Sequence, residues 1–161
     1  MEAGTNANIV RGNYIGTNAA GTAAIPNGAG VLIWVGARSN LVGGTSAGAG
    51  NVISGNNNQG VAISGAGTNS NRVEGNRIGT NAAGTGALGN TWAGAAVFDG
   101  AQSNVIGGLV AGAGNTISGG KNHGVHLGGA TTKFNVLQGN RIGTNAAGTA
   151  ALPNALSGVE P

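Results

Sequence analysis

The chain has 161 residues, 35 of them glycine, a formal net charge of +3, only 7% charged residues and no cysteine, which excludes disulfides and thiol chemistry. Its basic residues, Arg11, Arg38, Arg72, Arg77, Lys121, Lys133 and Arg141, never form a run, and two Trp, one Tyr and two Phe are too few for base-stacking platforms, so nucleic-acid binding is not expected. No apolar stretch approaches the roughly 20 residues of a membrane-spanning helix, so no membrane insertion is expected.

In chain order, short strand signals begin at Asn8 (NIVRGN), Tyr14 (YIGT), Gly30 (GVLI), Asn40 (NLVGG), Asn51 (NVISGN) and Gly60 (GVAI). The same three types return at Asn71 (NRVEGN), Arg77 (RIGT), Gly94 (GAAV), Asn104 (NVIGG), Asn115 (NTISGG), Gly124 (GVHL), Asn135 (NVLQGN) and Arg141 (RIGT). The segments are too short for helices and alternate with period two, which is the strand signal. Glycine and asparagine fill the corners, where tight or left-handed backbone is needed.

The order is fixed, so the chain coils. The octapeptide IGTNAAGT stands unchanged at 15–22, 78–85 and 142–149, and segments 8–27 and 135–154 agree at 15 of 20 positions. Self-similarity at a fixed period marks a solenoid, here with a 64-residue double-turn repeat. Complete turns run over about 30–59, 60–93, 94–123 and 124–157, with 5–29 supplying two-thirds of an earlier one. Length varies in two places. One set of turns carries TSAGAG (45–50) or LVAGAG (109–114) between the N-type strand and the strand that follows. The other carries a longer insert, such as NAAGTGALGN at 81–90.

The alternation assigns the core. Inward positions are Val31, Ile33, Val61, Ile63, Ala95, Val97, Val125 and Leu127 on one strand type. Val10, Val42, Val73, Ile106 and Leu137 come from the second, and Ile15, Ile53, Ile78, Ile117 and Ile142 from the third. Asn8, Asn40, Asn71, Asn104 and Asn135 align at one corner, which predicts an internal asparagine ladder.

The pattern G-V-x-I, N-x-[VI]-x-G-N, x-I-G-T or x-I-S-G closely resembles the right-handed parallel β-helix repeats of bacterial secreted and surface proteins, in the pectin-lyase-like class. The resemblance covers about residues 5–159 and implies an all-β right-handed parallel β-helix of about 4.7 turns, with three short strands per turn. It also implies a parent protein that is secreted or on the cell surface. The whole chain, 1–161, reads as a single domain. Met1-Glu2 is acidic where a secretion signal starts basic. The first turn lacks its first strand and the last stops at Gly158-Val159, which suggests a piece cut from, or designed on, a longer array.

Enzymes of this fold that cleave polyuronates gather acidic calcium ligands on one sheet face. This chain has four carboxylates, Glu2, Glu74, Asp99 and Glu160. Glu2 and Glu160 lie near the termini, and Glu74 and Asp99 fall on different strand types. A glycosidase pair at ~5–9.5 Å and a calcium site are therefore not expected, and neither is enzymatic activity or a cofactor. His123 and His126 straddle a corner and a strand start with no third ligand in view, so no metal site is expected.

Three surface features remain. Ile9, Leu41, Val105 and Val136 point outward on the N-type strands, with Arg72 between them. They are either covered by the inserts folding back or form a contact face for another subunit. Trp34 and Phe98 occupy equivalent positions two turns apart and could stack on sugar rings, or simply pack locally. Uncapped end strands favour pairing with another chain. The expected function is thus a non-catalytic structural or interaction solenoid, stalk-like or adhesin-like, that associates with itself end to end or side by side. The alternative is a carbohydrate-binding module or inactive lyase-like fragment, with glycans as partners.

Overall fold

The computed structural model describes residues 4–161, so Glu2 lies outside the described residues. Among these residues there are fifteen strands and no helix. The strands form three parallel sheets of five. Sheet 1 holds β1 (Ile9–Val10), β4 (Leu41–Gly43), β7 (Arg72–Glu74), β10 (Val105–Gly107) and β13 (Val136–Gln138). Sheet 2 holds β2 (Tyr14–Ile15), β5 (Val52–Ile53), β8 (Arg77–Ile78), β11 (Thr116–Ile117) and β14 (Arg141–Ile142). Sheet 3 holds β3 (Val31–Trp34), β6 (Val61–Ser64), β9 (Ala93–Phe98), β12 (His123–Leu127) and β15 (Val159–Glu160). Every strand pairs with its equivalent one coil away and never with its neighbour in sequence. The chain is therefore a β-solenoid of about five coils, β1–β3 making the first and β13–β15 the fifth. Val159 and Glu160 complete the fifth strand of sheet 3 by pairing with Val125 and His126.

The core follows the period-two assignment. Ile33, Val42, Ile53, Ile63, Val73, Ile78, Val97, Ile117 and Val125 are fully buried and stack like on like, as in Ile53↔Ile78 and Ile78↔Ile117. Each such side chain contributes roughly 1.5–3 kcal/mol by leaving water. The column thins at its ends, where Ile15, Leu137 and Ile142 are only partly buried.

The strands are two to six residues long because sharp corners end them. At one corner Ala7, Ser39, Ser70, Ser103 and Phe134 all take positive φ, each just before an aligned asparagine. That asparagine does the joining. The backbone N–H and Nδ2 of Asn40 both donate to Oδ1 of Asn71 at 3.0 Å, while Nδ2 also reaches back to the carbonyl of Thr5. An amide side chain suits this place because it offers one acceptor and two donors from a single short stem. The expected ladder from Asn8 to Asn135 is present. Two more accompany it. Asn13, Asn51, Asn76, Asn115 and Asn140 form the second, at the corner between sheets 1 and 2. Asn27, Asn56 and Asn90 begin the third, in which Gly120 stands in the fourth coil and donates its N–H to Asn154 Oδ1.

The double period has a physical cause in the loops. In coils 1, 3 and 5 the octapeptide forms a small hairpin after sheet 2, closed by the bridges Thr17↔Ala24, Thr80↔Ala87 and Thr144↔Ala151. Within it Asn18 Oδ1 accepts from the Thr22 N–H at 2.8 Å, and Asn81 and Asn145 repeat the bond to Thr85 and Thr149. Successive hairpins touch directly: the Ala82 N–H donates to Gly21 O at 2.9 Å and the Ala146 N–H to Gly84 O at 2.8 Å. Strands in adjacent coils lie ~4.8 Å apart, so each hairpin fills about two layers, ~9.6 Å. Gly21 is required on two counts, for its φ of +65 and because a Cβ there would run into Ala82 and the Tyr14 ring.

The second insert obeys the same rule at the other corner of sheet 2. In coils 2 and 4, residues 45–50 and 109–114 pack over the corners of neighbouring coils. The Gly12 N–H donates to Ala49 O and the Gly75 N–H to Ala113 O, both at 3.0 Å. The two inserts also meet, since a Cβ on Gly112 would stand 2.5 Å from Thr45 O. Each loop column is two layers thick, so neither can occur on adjacent coils. The two columns alternate. Coil types must then follow one another strictly in pairs.

Candidate functional site

The outward face of sheet 3 collects most of the chemically capable side chains. The register places Leu32, Ala62, Ala96, His126 and Glu160 in one outward row, and Trp34, Ser64 and Phe98 in the next. The expected equivalence of Trp34 and Phe98 is therefore present, with Ser64 between them. Trp34 is 41% exposed.

A residue outside the strand pattern completes the group. Trp92 closes the connection that follows the coil 3 hairpin, just before β9. Its ring stands edge-on to Phe98 at 6.0 Å and tilted over His126 at 5.0 Å. Ala96, which pairs with His126 and points outward, is nonetheless buried. Nothing in the repeat marks Trp92, because the positions in line with it hold Asn58, Asn122 and Leu156, which share no side-chain type with it.

Glu160 was expected to lie apart near the terminus, and no third group was expected near the histidines. The structure instead places Glu160 between them. Its Oε2 is 2.8 Å from His126 Nδ1 and 3.2 Å from His123 Nε2. His123 opens β12 and pairs with Ala93, rather than lying in the preceding loop. Only alignment of β15 on β12 could have revealed this, and β15 carries just two residues of the pattern. Near the pair, His123 Nδ1 and Asn122 Oδ1 are buried without a hydrogen-bond partner. Among the described residues no three His, Cys, Asp or Glu are arranged to hold a metal ion.

The other carboxylates lie elsewhere. Glu74 sits on sheet 1, buried beneath Arg72, with which it forms an ion pair. Asp99 follows β9 in the left-handed region, with φ 53. A single carboxylate flanked by two imidazoles can shuttle a proton, but the paired carboxylates of glycoside hydrolysis are not assembled by these three.

On sheet 1 the outward row reads Ile9, Leu41, Arg72, Val105 and Val136 in continuous register. Ile9 is 59% exposed and Val136 44%, while Leu41 and Val105 are partly buried. The 45–50 and 109–114 inserts bond to the corners toward sheet 2 through Ala49 and Ala113, and Leu41 and Val105, on the coils that carry the inserts, are the more buried members of the row. Phe134, Leu109 and Val110 are exposed at the margins of the same sheet.

The outer face of sheet 2 forms the floor between the two loop columns. A cleft of about 310 Å³ opens there, lined by Arg77, Thr116, the 45–50 insert and Ala146 of the last hairpin. The Arg77 stem lies against Gly84 of its own hairpin. No family model, no curated protein and no solved structure matches the chain.

Proposed function

We propose that the chain is a non-catalytic structural and interaction solenoid, a rod-like segment that pairs side by side with a second copy through the outer face of sheet 1. The observation that carries this reading is the row Ile9–Leu41–Arg72–Val105–Val136, exposed at Ile9 and Val136 and flanked by exposed Phe134, Leu109 and Val110. Exposed apolar surface gathered on one face marks a contact site. Arg72 is neutralised by Glu74 beneath it, so two such faces can meet without bringing unbalanced charges together. A twofold pairing, in which each copy presents the same row, satisfies both surfaces at once.

The finer reading is a right-handed β-helix of the pectin-lyase-like class, drawn from the repeat arrays of secreted or surface proteins. It is supported by the recurring G-V-x-I and N-x-[VI]-x-G-N segments. On that reading the parent protein works outside the cell as a stalk or adhesin-like segment, with rigidity supplied by the three ladders.

Light scattering over a concentration series tests the pairing. Dimer should accumulate with concentration, and joint Ile9→Asp and Val136→Asp substitution should return the monomer with an unchanged melting curve. A wild-type monomer that persists at millimolar concentration would sink the proposal. A second reading, glycan binding, is favoured by exposed Trp34 in file with Phe98. Binding to glycans that is lost on Trp34→Ala, in a chain that stays monomeric, would put it first.

A further inference from the structure

We infer that the face formed by β13, β14 and β15 accepts only a coil of the corner-insert type, so that five-coil chains of this sequence do not stack head to tail on one another. The asparagine ladders alone would favour such stacking. In each ladder the backbone N–H and Nδ2 donate to the Oδ1 of the following coil. One face of the stack therefore presents Asn8 and Asn13 Oδ1 acceptors that meet no backbone donor of a preceding coil among the described residues. The other presents the Asn135 and Asn140 N–H donors, which meet no acceptor among the described residues. The two faces are complementary, and the aliphatic column would run on.

The loops decide otherwise. Coil 5 carries a hairpin at 144–151 and coil 1 carries one at 17–24. Head-to-tail stacking would bring these two hairpins to a separation of one layer. Hairpins two layers apart are already in backbone hydrogen-bond contact, and a Cβ on Gly84 would lie 2.4 Å from the Ala146 Cβ. Removing a layer, ~4.8 Å, would drive backbone into backbone, which no side-chain rotation relieves.

A second observation points the same way. Gly12 and Gly75 give their N–H groups to Ala49 and Ala113 in the insert of the next coil. Gly139 holds the same corner in coil 5, and its N–H has no acceptor among the described residues. An insert laid on this corner would supply that acceptor. Coil 1 of a second copy brings only Arg11-Gly12 to that corner. The fitting occupant is a coil like that of residues 40–64, with ladder asparagines, a TSAGAG-type insert and a tight Ser-Gly-Asn turn in place of the hairpin.

Chains of different parity test this. A six-coil chain is made by placing a second copy of residues 33–64 directly after Glu160, or a second copy of residues 104–134 directly before Asn8. A seven-coil chain carries a second copy of residues 33–98 after Glu160. Folding is followed by circular dichroism, and growth along the axis by sedimentation and electron microscopy. Both six-coil chains should form unbranched filaments that lengthen with concentration. The five- and seven-coil chains should stop at side-by-side pairs or monomers, which keeps the outcome separate from lateral association. Filaments of the five-coil chain overturn the inference, as do six- and seven-coil chains that behave alike. Six-coil chains that stay single, or that fail to fold at either extended end, overturn it too, because the added coil is held to dock without strain.

Discussion

Removing the amide of Asn76, in the middle of the second ladder, should cost far more than removing that of Asn13 at its first position. Asn76 is 1% exposed, and its Oδ1 accepts both the Asn51 backbone N–H at 3.0 Å and Asn51 Nδ2 at 2.9 Å. Asn76→Ala leaves the Asn51 backbone N–H and one Nδ2 hydrogen buried and unpaired, while the other Nδ2 hydrogen keeps the Val10 carbonyl. Each costs about 1–3 kcal/mol, so the expected loss is about 2–6 kcal/mol before the small cavity is counted. Asn13 Oδ1 accepts no such bond, and its Nδ2 donates to Arg11 O and Asn51 Oδ1 at an exposed position. Asn13→Ala therefore orphans no buried donor and should cost about 0.5–1.5 kcal/mol. Asn76→Asp should be worse than Ala, because its second oxygen would face Asn115 Oδ1 and the Val42 carbonyl where Nδ2 now donates. Urea titration of the three variants, followed by circular dichroism, gives the differences from the midpoints at constant slope. An Asn76→Ala variant no less stable than Asn13→Ala would refute the claim that these ladders bind the coils.

Ile78→Asn should destabilise strongly and Arg77→Asn hardly at all: Ile78 is fully buried between Ile53 and Ile117, while its neighbour Arg77 is exposed. Thermal melting reads the contrast, with at least about 2–5 kcal/mol expected for Ile78 from lost core volume alone; equal shifts would mean the register is wrong. Arg72→Ala should lower stability more than Glu74→Gln, because only the first leaves a buried carboxylate unpaired. Chemical denaturation compares them, and the reverse order would show that the Arg72–Glu74 pair does not hold this part of sheet 1.

The coil and its core were legible because one rule, inward every second residue, repeats in every strand. The first ladder was legible for the same reason: Asn8 and its four equivalents stand at fixed distances from inward valines, leucine and isoleucine. The third ladder was hidden because Asn27, Asn56, Asn90 and Asn154 follow connections of unequal length, and Gly120 interrupts the set. The second was obscured by reading Asn51 and Asn115 as strand starts beside Tyr14 and Arg77. In the structure Tyr14 pairs with Val52, and Asn51 belongs one place earlier, above Asn13. On the candidate face, Trp34 and Phe98 were found by register. Trp92 and Glu160 were not, since the residues in line with Trp92 (Asn58, Asn122 and Leu156) share no side-chain type and a two-residue strand gives periodicity little to act on.

The direction of the sheet hydrogen bonds has a mechanical consequence. They lie across the strands and hence along the stack, and the first and fifth coils occupy opposite ends. A pull between the ends loads these bonds along their length and concentrates the force on the outermost coil, whose strands are only a few residues long. Such a rod yields by peeling one coil at a time rather than by shearing as a block. Each coil adds ~4.8 Å to the folded length, whereas its roughly 30 residues span about 100 Å when extended. Under axial tension each coil released lengthens about twentyfold, so the rod becomes a yielding tether when stretched.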